Sequence, residues 1–373
     1  MDFNDVIGQQ DAKNRLMQMA RENRIPHAIM LCGPTGCGKM AVAMALAATL
    51  LRKGKENNAN TEAMLRNWGH PDLHFTYPVI KPTGTSSDHK MVSDDFAGEW
   101  HSMIARGPYF SIEQWLENMG AQNQQAIIFE AESDAITHNL SLKSSQGGWK
   151  ICLIWLPERM NTTCANKILK ILEEPPQMTL FIMVCEEPEK LLDTIRSRVQ
   201  RIDLKRIADA DIENALITQR GIDSDTAHRI ARIANGSWLK ALEQLDADNE
   251  NGAMLEMFKN LMRTAYMRNV KGMKAWSENI AATGRERQLR TLTYFMKMIR
   301  ENFVYNFQLP QLNYMSRDEE DFARNFARFI NEANVVEITE LFQQARREIA
   351  QNANAKIVFF DIALKMTVLL MRK

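Results

Sequence analysis

The sequence predicts an α/β domain built on a parallel sheet, followed by segments made of helices alone. Three features carry that prediction. Short apolar runs of strand length alternate with stretches of helical periodicity as far as about residue 205. One of these runs leads straight into a glycine-rich turn and a helix. Beyond residue 205 the strand signals stop and amphipathic helix patterns take over.

The elements follow in order. His27–Cys32 (HAIMLC) is apolar and ends at a glycine, which suits a strand buried on both faces. Gly33–Lys39 is the glycine-rich turn, and Met40–Leu51, apolar but for one Thr, continues as a helix. Residues 53–66 are polar and are expected to form a surface connection, and 81–97 read as a long loop. Lys150–Leu156 is a second buried strand. Asn161–Leu172 places Cys164, Ala165, Ile168, Ile171 and Leu172 at helical spacing, and Pro175-Pro176 stops that helix. Thr179–Cys185 is a third strand, and Arg198–Leu204 alternates as a fourth. Residues 207–245 fit short helices broken at Gly221 and Gly236. In Arg285–Phe303, apolar residues recur at Leu289, Leu292, Phe295, Ile299 and Phe303. In 317–333, Phe322, Phe326, Phe329 and Ile330 share a face, with Ser316 and Glu319 as a capping box. Ala355–Leu370 is apolar on several faces and is expected to be buried.

Composition narrows the function classes. With 45% hydrophobic and 25% charged residues, the chain can build a core and is not disordered. Its 373 residues allow two or three domains at roughly 100–200 residues each. Lys+Arg and Asp+Glu both number 46, so net charge favours neither nucleic acid nor membrane. Residues 251–373 hold 19 basic and 13 acidic side chains, leaving 27 and 33 for 1–250, so the two ends can meet different partners. The five cysteines form no C-x-x-C pair, which suggests neither a disulfide framework nor a zinc ribbon. Met40–Leu51 is too short to cross a bilayer, which takes about 20 apolar residues. The first ten residues lack an apolar signal core. A reducing, cytoplasmic setting without membrane contact is expected.

The chemistry begins at Gly33-Pro34-Thr35-Gly36-Cys37-Gly38-Lys39, which matches G-x-x-x-x-G-K with a strand before it and a helix after it. Backbone N–H groups of such a turn, at a helix N-terminus, form an anion site, and Lys39 would reach the outer phosphates. The next position should carry a hydroxyl for Mg²⁺, but it is Met40. A thioether is a poor ligand for a hard cation. The second strand should end in acids that hold metal and orient water. Trp155 and Leu156 stand there, and Glu158 lies past the strand end. ATP or ADP binding without hydrolysis stays open; a working ATPase with shifted acids is the competing reading.

A family resemblance joins these residues. Val6-Ile-Gly-Gln9, Arg24-Ile-Pro-His-Ala28, the phosphate loop, Leu172-Glu-Glu-Pro-Pro176 and Glu187–Arg198 (EPEKLLDTIRSR) together resemble bacterial clamp-loader subunits of DNA polymerase III. The fit is best with the delta-prime type, within the AAA+ superfamily. It covers 1–205 strongly, 206–250 moderately, and 251–373 only in helical character. The resemblance implies a RecA-like α/β domain over 1–205, a small helical lid over 206–250 and a helical collar over 251–373. It implies a non-catalytic subunit in a ring with delta and gamma or tau subunits, which loads the sliding clamp onto primed DNA. Arg198 matches the arginine of the family's Ser-Arg-Cys motif, with Val199 in place of cysteine. There it implies an arginine finger acting on a neighbour's ATP, where a planar guanidinium meets charge on the phosphoryl oxygens. The ordinary alternative is a surface cation, and Arg196 reads as a helix-end charge.

Departures from the family add to this. Many relatives hold zinc on four cysteines between the loop and the second strand; residues 38–151 have none, so no zinc and no other metal is expected. His70 and His74 have metal-like spacing, but Pro71 disfavours an aligning helix, and a turn is expected. Leu239 stands where the lid motif often carries a nucleotide-sensing arginine, and Cys185 where active relatives have a polar sensor. Residues 261–300 contain nine basic and two acidic residues with Tyr266, Trp276 and Tyr294 among them. That pattern alone suggests single-strand binding, yet a solvated collar face or contact with acidic partner surfaces is the favoured reading. An autonomous ATPase, or a phosphate-loop protein holding nucleotide only structurally, remain the alternatives.

Overall fold

Apolar runs covered on both faces become the middle of a sheet, and the first part of the chain is built around them. The computed structural model describes residues 1–53, 59–82, 84–86, 88–121, 124–308 and 315–372. The chain divides into two units, Met1–Gln244 and Leu245–Lys373.

In the first unit the strands are β1 (Ala28–Cys32), β2 (Leu73–Thr76), β3 (Lys150–Trp155), β4 (Thr179–Cys185) and β5 (Gln200–Asp203). They pair in the order β2-β3-β4-β1-β5, every pair parallel. This is the predicted α/β class, built on a parallel sheet. Side chains alternate between two cores, as the period of a strand requires. Ile29, Leu31, Ile151, Leu153, Ile182 and Val184 join one core with the helix Lys39–Arg52. Met30, Cys152, Ile154, Phe181 and Met183 join the other, with Ile136, Leu140, Ile168 and Leu172. The helix Lys39–Arg52 is buried on nearly every face, which explains why its sequence is apolar all round.

Three expectations needed correction here. β2 had no counterpart among the expected strands; as an edge strand it mixes buried Leu73 and Thr76 with half-buried His74 and Phe75. The polar stretch 53–66 holds a helix, Ala59–Arg66, whose Thr61 and Leu65 are buried, while 54–58 lie outside the described residues. The stretch 81–97 ends in a 3-10 turn, Ser93–Phe96, that runs into the helix Ala97–Arg106. These segments and the helix Ile112–Asn118 bury Trp100 and Trp115 beside Tyr77. Tyr77 and Trp100 stack with ring centroids 4.0 Å apart.

After the sheet come helices Asp209–Arg220, Ser224–Ala234 and the start of Trp238–Tyr266. Gly221 ends the first with φ 67, where a side chain would be strained. In the second unit, the rest of that helix and helices Val270–Ala281, Arg285–Tyr305, Arg317–Phe326, Val335–Ala350 and Ala355–Leu369 share a core centred on Phe258, Trp276, Phe295, Phe342 and Phe359. The Ser316–Glu319 capping box forms. The last helix is less buried than expected: Ile357, Leu364 and Val368 are exposed on one side.

Candidate functional site

The glycine-rich turn sits at the C-terminal end of β1, and Gly38 caps the following helix with φ 95. Gly36 has φ 78, and a Cβ there would lie 2.0 Å from Ser237 Oγ. Glycine is therefore required twice over, by backbone angle and by the close approach of Ser237–Leu239. Trp238 N–H donates to Gly36 O at 3.0 Å. Gln9 Nε2 donates to Cys37 O at 2.9 Å and to Lys205 O at 2.6 Å. The Tyr109 ring lies against Gly38, and its hydroxyl accepts from Ile7 N–H at 3.1 Å. Burial pushes the Tyr109 phenol up to about 12 and raises the Cys37 thiol, so both stay protonated near neutral pH.

Lys39 does not project freely. Its ammonium donates to Gly33 O and Pro34 O, each at 2.7 Å, and pairs with Glu186 at 3.2 Å. Thr35 Oγ1 donates to the other Glu186 oxygen at 2.9 Å. A carboxylate thus stands where phosphate would meet the lysine. Glu186 follows β4 directly, so the parallel sheet delivers it to the same end as the turn.

The three residues standing where the motif calls for a hydroxyl and acids are buried in the core. Met40, Trp155 and Leu156 are 5%, 3% and 3% exposed. Trp155 packs edge-on against Phe110 at 5.0 Å and near Trp100 at 5.5 Å. Glu158 braces the chain beyond β4, where its Oε1 accepts from the N–H groups of Glu186 and Glu187 at 2.8 and 3.1 Å. Cys185 is fully buried beside its ladder neighbour Cys32. The hydrogen bond with Cys32, together with burial, holds the Cys185 thiol far above its usual range. Leu239 is buried against the turn. These residues do not fit a Mg²⁺-nucleotide hydrolysis site. Pro34 and Cys37 complete the turn, with Cys37 N–H donating to Pro34 O at 3.3 Å.

Arg198 lies just before β5, and its side chain is about a third exposed. Its Nε donates to Glu173 at 2.7 Å and its Nη1 to Thr194 O at 2.8 Å. Because Gln200 is level with Ile29 and Asp203 with Cys32, Arg198 and the turn occupy opposite ends of the sheet. Three strand steps of ~3.3 Å put ~10 Å or more between them. Arg196 is more exposed and pairs with Asp193 on its own short helix.

The remaining candidates resolve as follows. His70 is buried in a turn, its Nδ1 accepting from Asp72 N–H at 3.1 Å, and Leu73 N–H donates to His70 O at 3.0 Å. Asp72 ties that turn to Ser144 Oγ and Ser145 N–H. Among the described residues no group of three or more His, Cys, Asp or Glu could hold a metal ion, and no helix is long and apolar enough to cross a membrane. Trp276 and Tyr294 are core residues and Tyr266 alone of the three is exposed, which weighs further against the single-strand-binding alternative. Sequence reasoning missed Glu186, Tyr109 and the packing of Ser237 and Trp238 on the turn.

Comparison with known proteins bears on these features. The family model described as DNA polymerase III, delta subunit, matches residues 8–208. DNA polymerase III subunit delta' of Bacillus subtilis strain 168 is 25% identical over 224 residues, covering 59% of this chain and 54% of that one. Subunit tau of the same organism is 26% identical over 268 residues, covering 70% and 40%. Subunit delta' of Yersinia pestis is 47% identical over 57 residues, covering 15% and 16%. The chain thus spans about half or less of the length of these curated relatives. The matched stretch holds the whole parallel sheet, the phosphate turn and Arg198, so the chain belongs to the DNA polymerase III delta-subunit family.

Proposed function

We propose that this chain is a delta-prime-type subunit of a clamp loader, one that does not hydrolyse ATP itself. It lends Arg198 to the ATP of a neighbouring gamma or tau subunit while the ring, which includes a delta subunit, loads a sliding clamp onto primed DNA. One observation carries the reading: Arg198 is partly exposed at the end of the sheet opposite its own phosphate turn. It is out of reach of that turn, so a phosphate it serves belongs to another subunit. Glu173 and the Thr194 carbonyl hold the guanidinium in the isolated chain. A phosphate on the next chain then competes with Glu173 for the same fork of donors.

The buried Met40, Trp155 and Leu156 support the non-hydrolytic half of the proposal, since no hydroxyl or acid stands where metal and water need one. In this reading the fold does without nucleotide, which the hydrogen bonds from Lys39 to the turn's own carbonyls support. Residues 206–250 serve as lid and 251–373 as collar in this reading.

The test is Arg198→Ala in a reconstituted loader. The assembly forms and the fold is unchanged, while turnover at the site facing Arg198 falls by a factor of order 10³ to 10⁵. DNA-stimulated ATPase equal to that of the unaltered loader would remove the finger role.

A further inference from the structure

The second unit carries a pocket that the clamp-loader reading leaves unused. It is about 300 Å³ and is lined by Met262, Tyr266, Phe322, Phe326, Phe329 and Leu370. Lys259, Arg263 and Arg328 stand at its rim. Tyr266 is 50% exposed and the adjacent Met267 69%, a costly arrangement for side chains with no cover. Lys259 pairs with Glu256 at 2.8 Å and lies over the Phe322 ring at 5.9 Å. The Arg328 guanidinium lies over Phe329 at 5.1 Å. Among the described residues neither Arg263 nor Arg328 makes an ion pair with an acid, and both are exposed.

We propose that this pocket docks a short acidic segment of a partner protein, anchored by one large apolar side chain. The apolar floor takes the anchor, and the two guanidiniums take carboxylates beside it, as a bidentate fork favours. Nucleic acid fits less well on three counts. The rings are already paired with one another, Phe322 stacked on Phe326 at 4.8 Å and Tyr266 edge-on to Phe329 at 5.2 Å, which leaves little open face for a base. The cations form a cluster rather than a track that could follow a phosphate backbone. The helix that supplies Phe322 also carries exposed Asp318, Glu320 and Asp321, which would repel a long polyanion but not a short acidic segment. Arg198 plays no part in this docking.

The test uses the full chain and a short labelled peptide of aspartates ending in phenylalanine, with labelled oligothymidylate as the second probe. Fluorescence anisotropy is expected to show saturable peptide binding. The Arg263→Glu, Arg328→Glu double variant weakens it by about tenfold or more, and Tyr266→Ser weakens it by a smaller factor, both with the melting temperature of the parent. Three results would overturn the proposal. They are no saturable binding at millimolar peptide, affinity unchanged in the double variant, or oligothymidylate binding more tightly than peptide with the same sensitivity to charge reversal.

Discussion

Two anions compete for Lys39: the Glu186 carboxylate, already 3.2 Å away, and any phosphate that enters the turn. A phosphate must either displace Glu186 or sit beside it, and like charges at that range oppose each other. Glu186→Gln removes the charge and keeps the shape. It is expected to tighten ATP or ADP binding by about tenfold, or ~1.4 kcal/mol, measured by calorimetry on the isolated chain. Unchanged affinity would show that the carboxylate is not what limits the site. The cysteines make a second residue-scale case. All five are buried and unpaired, and burial raises the thiols of Cys37, Cys152 and Cys164. Thiolate is the reactive form, so a thiol reagent is expected to label none of them in the native protein at neutral pH and all five in denaturant. Fast labelling of Cys37 in the native state would mean that the turn opens.

At the scale of elements, the helix Arg317–Phe326 is fixed by Glu319. Its carboxylate accepts from Ser316 N–H at 2.8 Å, Tyr294 O–H at 2.7 Å and the Lys297 ammonium at 3.0 Å. Burial raises its pKa, but the three donors together outweigh burial and leave it below the ordinary 4.5. A depressed carboxylate contributes stability that is present above its unfolded pKa and lost as pH falls through the folded value. Glu319→Gln is expected to cost roughly 1–3 kcal/mol at pH 7. The gap between variant and parent in urea unfolding then narrows below about pH 4.5. A gap of constant size down to about pH 3 would mean that hydrogen bonding alone, not the charge, holds the cap. The same contrast between local and distant causes explains what the sequence could reveal. β3 and β4 were legible because both faces are buried and nearly every residue is apolar. β2 was not, because an edge strand mixes polar His74 and Thr76 into a run of only four. The phosphate turn was legible because glycine is forced by backbone angle within a few residues. Its neighbours Tyr109, Glu186 and Ser237 were hidden because they arrive from 70 to 200 positions away and only the folded sheet and helices bring them in.

For the whole molecule, Met40, Trp155 and Leu156, which stand where the sequence motif calls for a hydroxyl and acids, are built into the core. Trp155 closes a ring cluster with Trp100 and Phe110, and the same cluster extends through Tyr77 to Trp115. Met40 and Leu156 are packed in the same core. Restoring an acid at 155 would remove a large side chain and bury a charge at once. Trp155→Asp is therefore expected to cost at least ~3–5 kcal/mol from the lost side chain alone, with the unpaired carboxylate adding to that. That is a large share of the roughly 5–15 kcal/mol that typically holds a domain folded, so the variant should unfold at much lower urea or be recovered insoluble. Met40→Thr changes less volume and should fold, yet it supplies only one of the groups that phosphoryl transfer needs, and turnover should stay at background. The unaltered chain should likewise show no Mg²⁺-dependent ATP turnover on its own, with phosphate release as the measurement. Turnover well above background that disappears in Lys39→Ala would show that this fold still hydrolyses nucleotide and would overturn the proposal of a non-hydrolytic subunit.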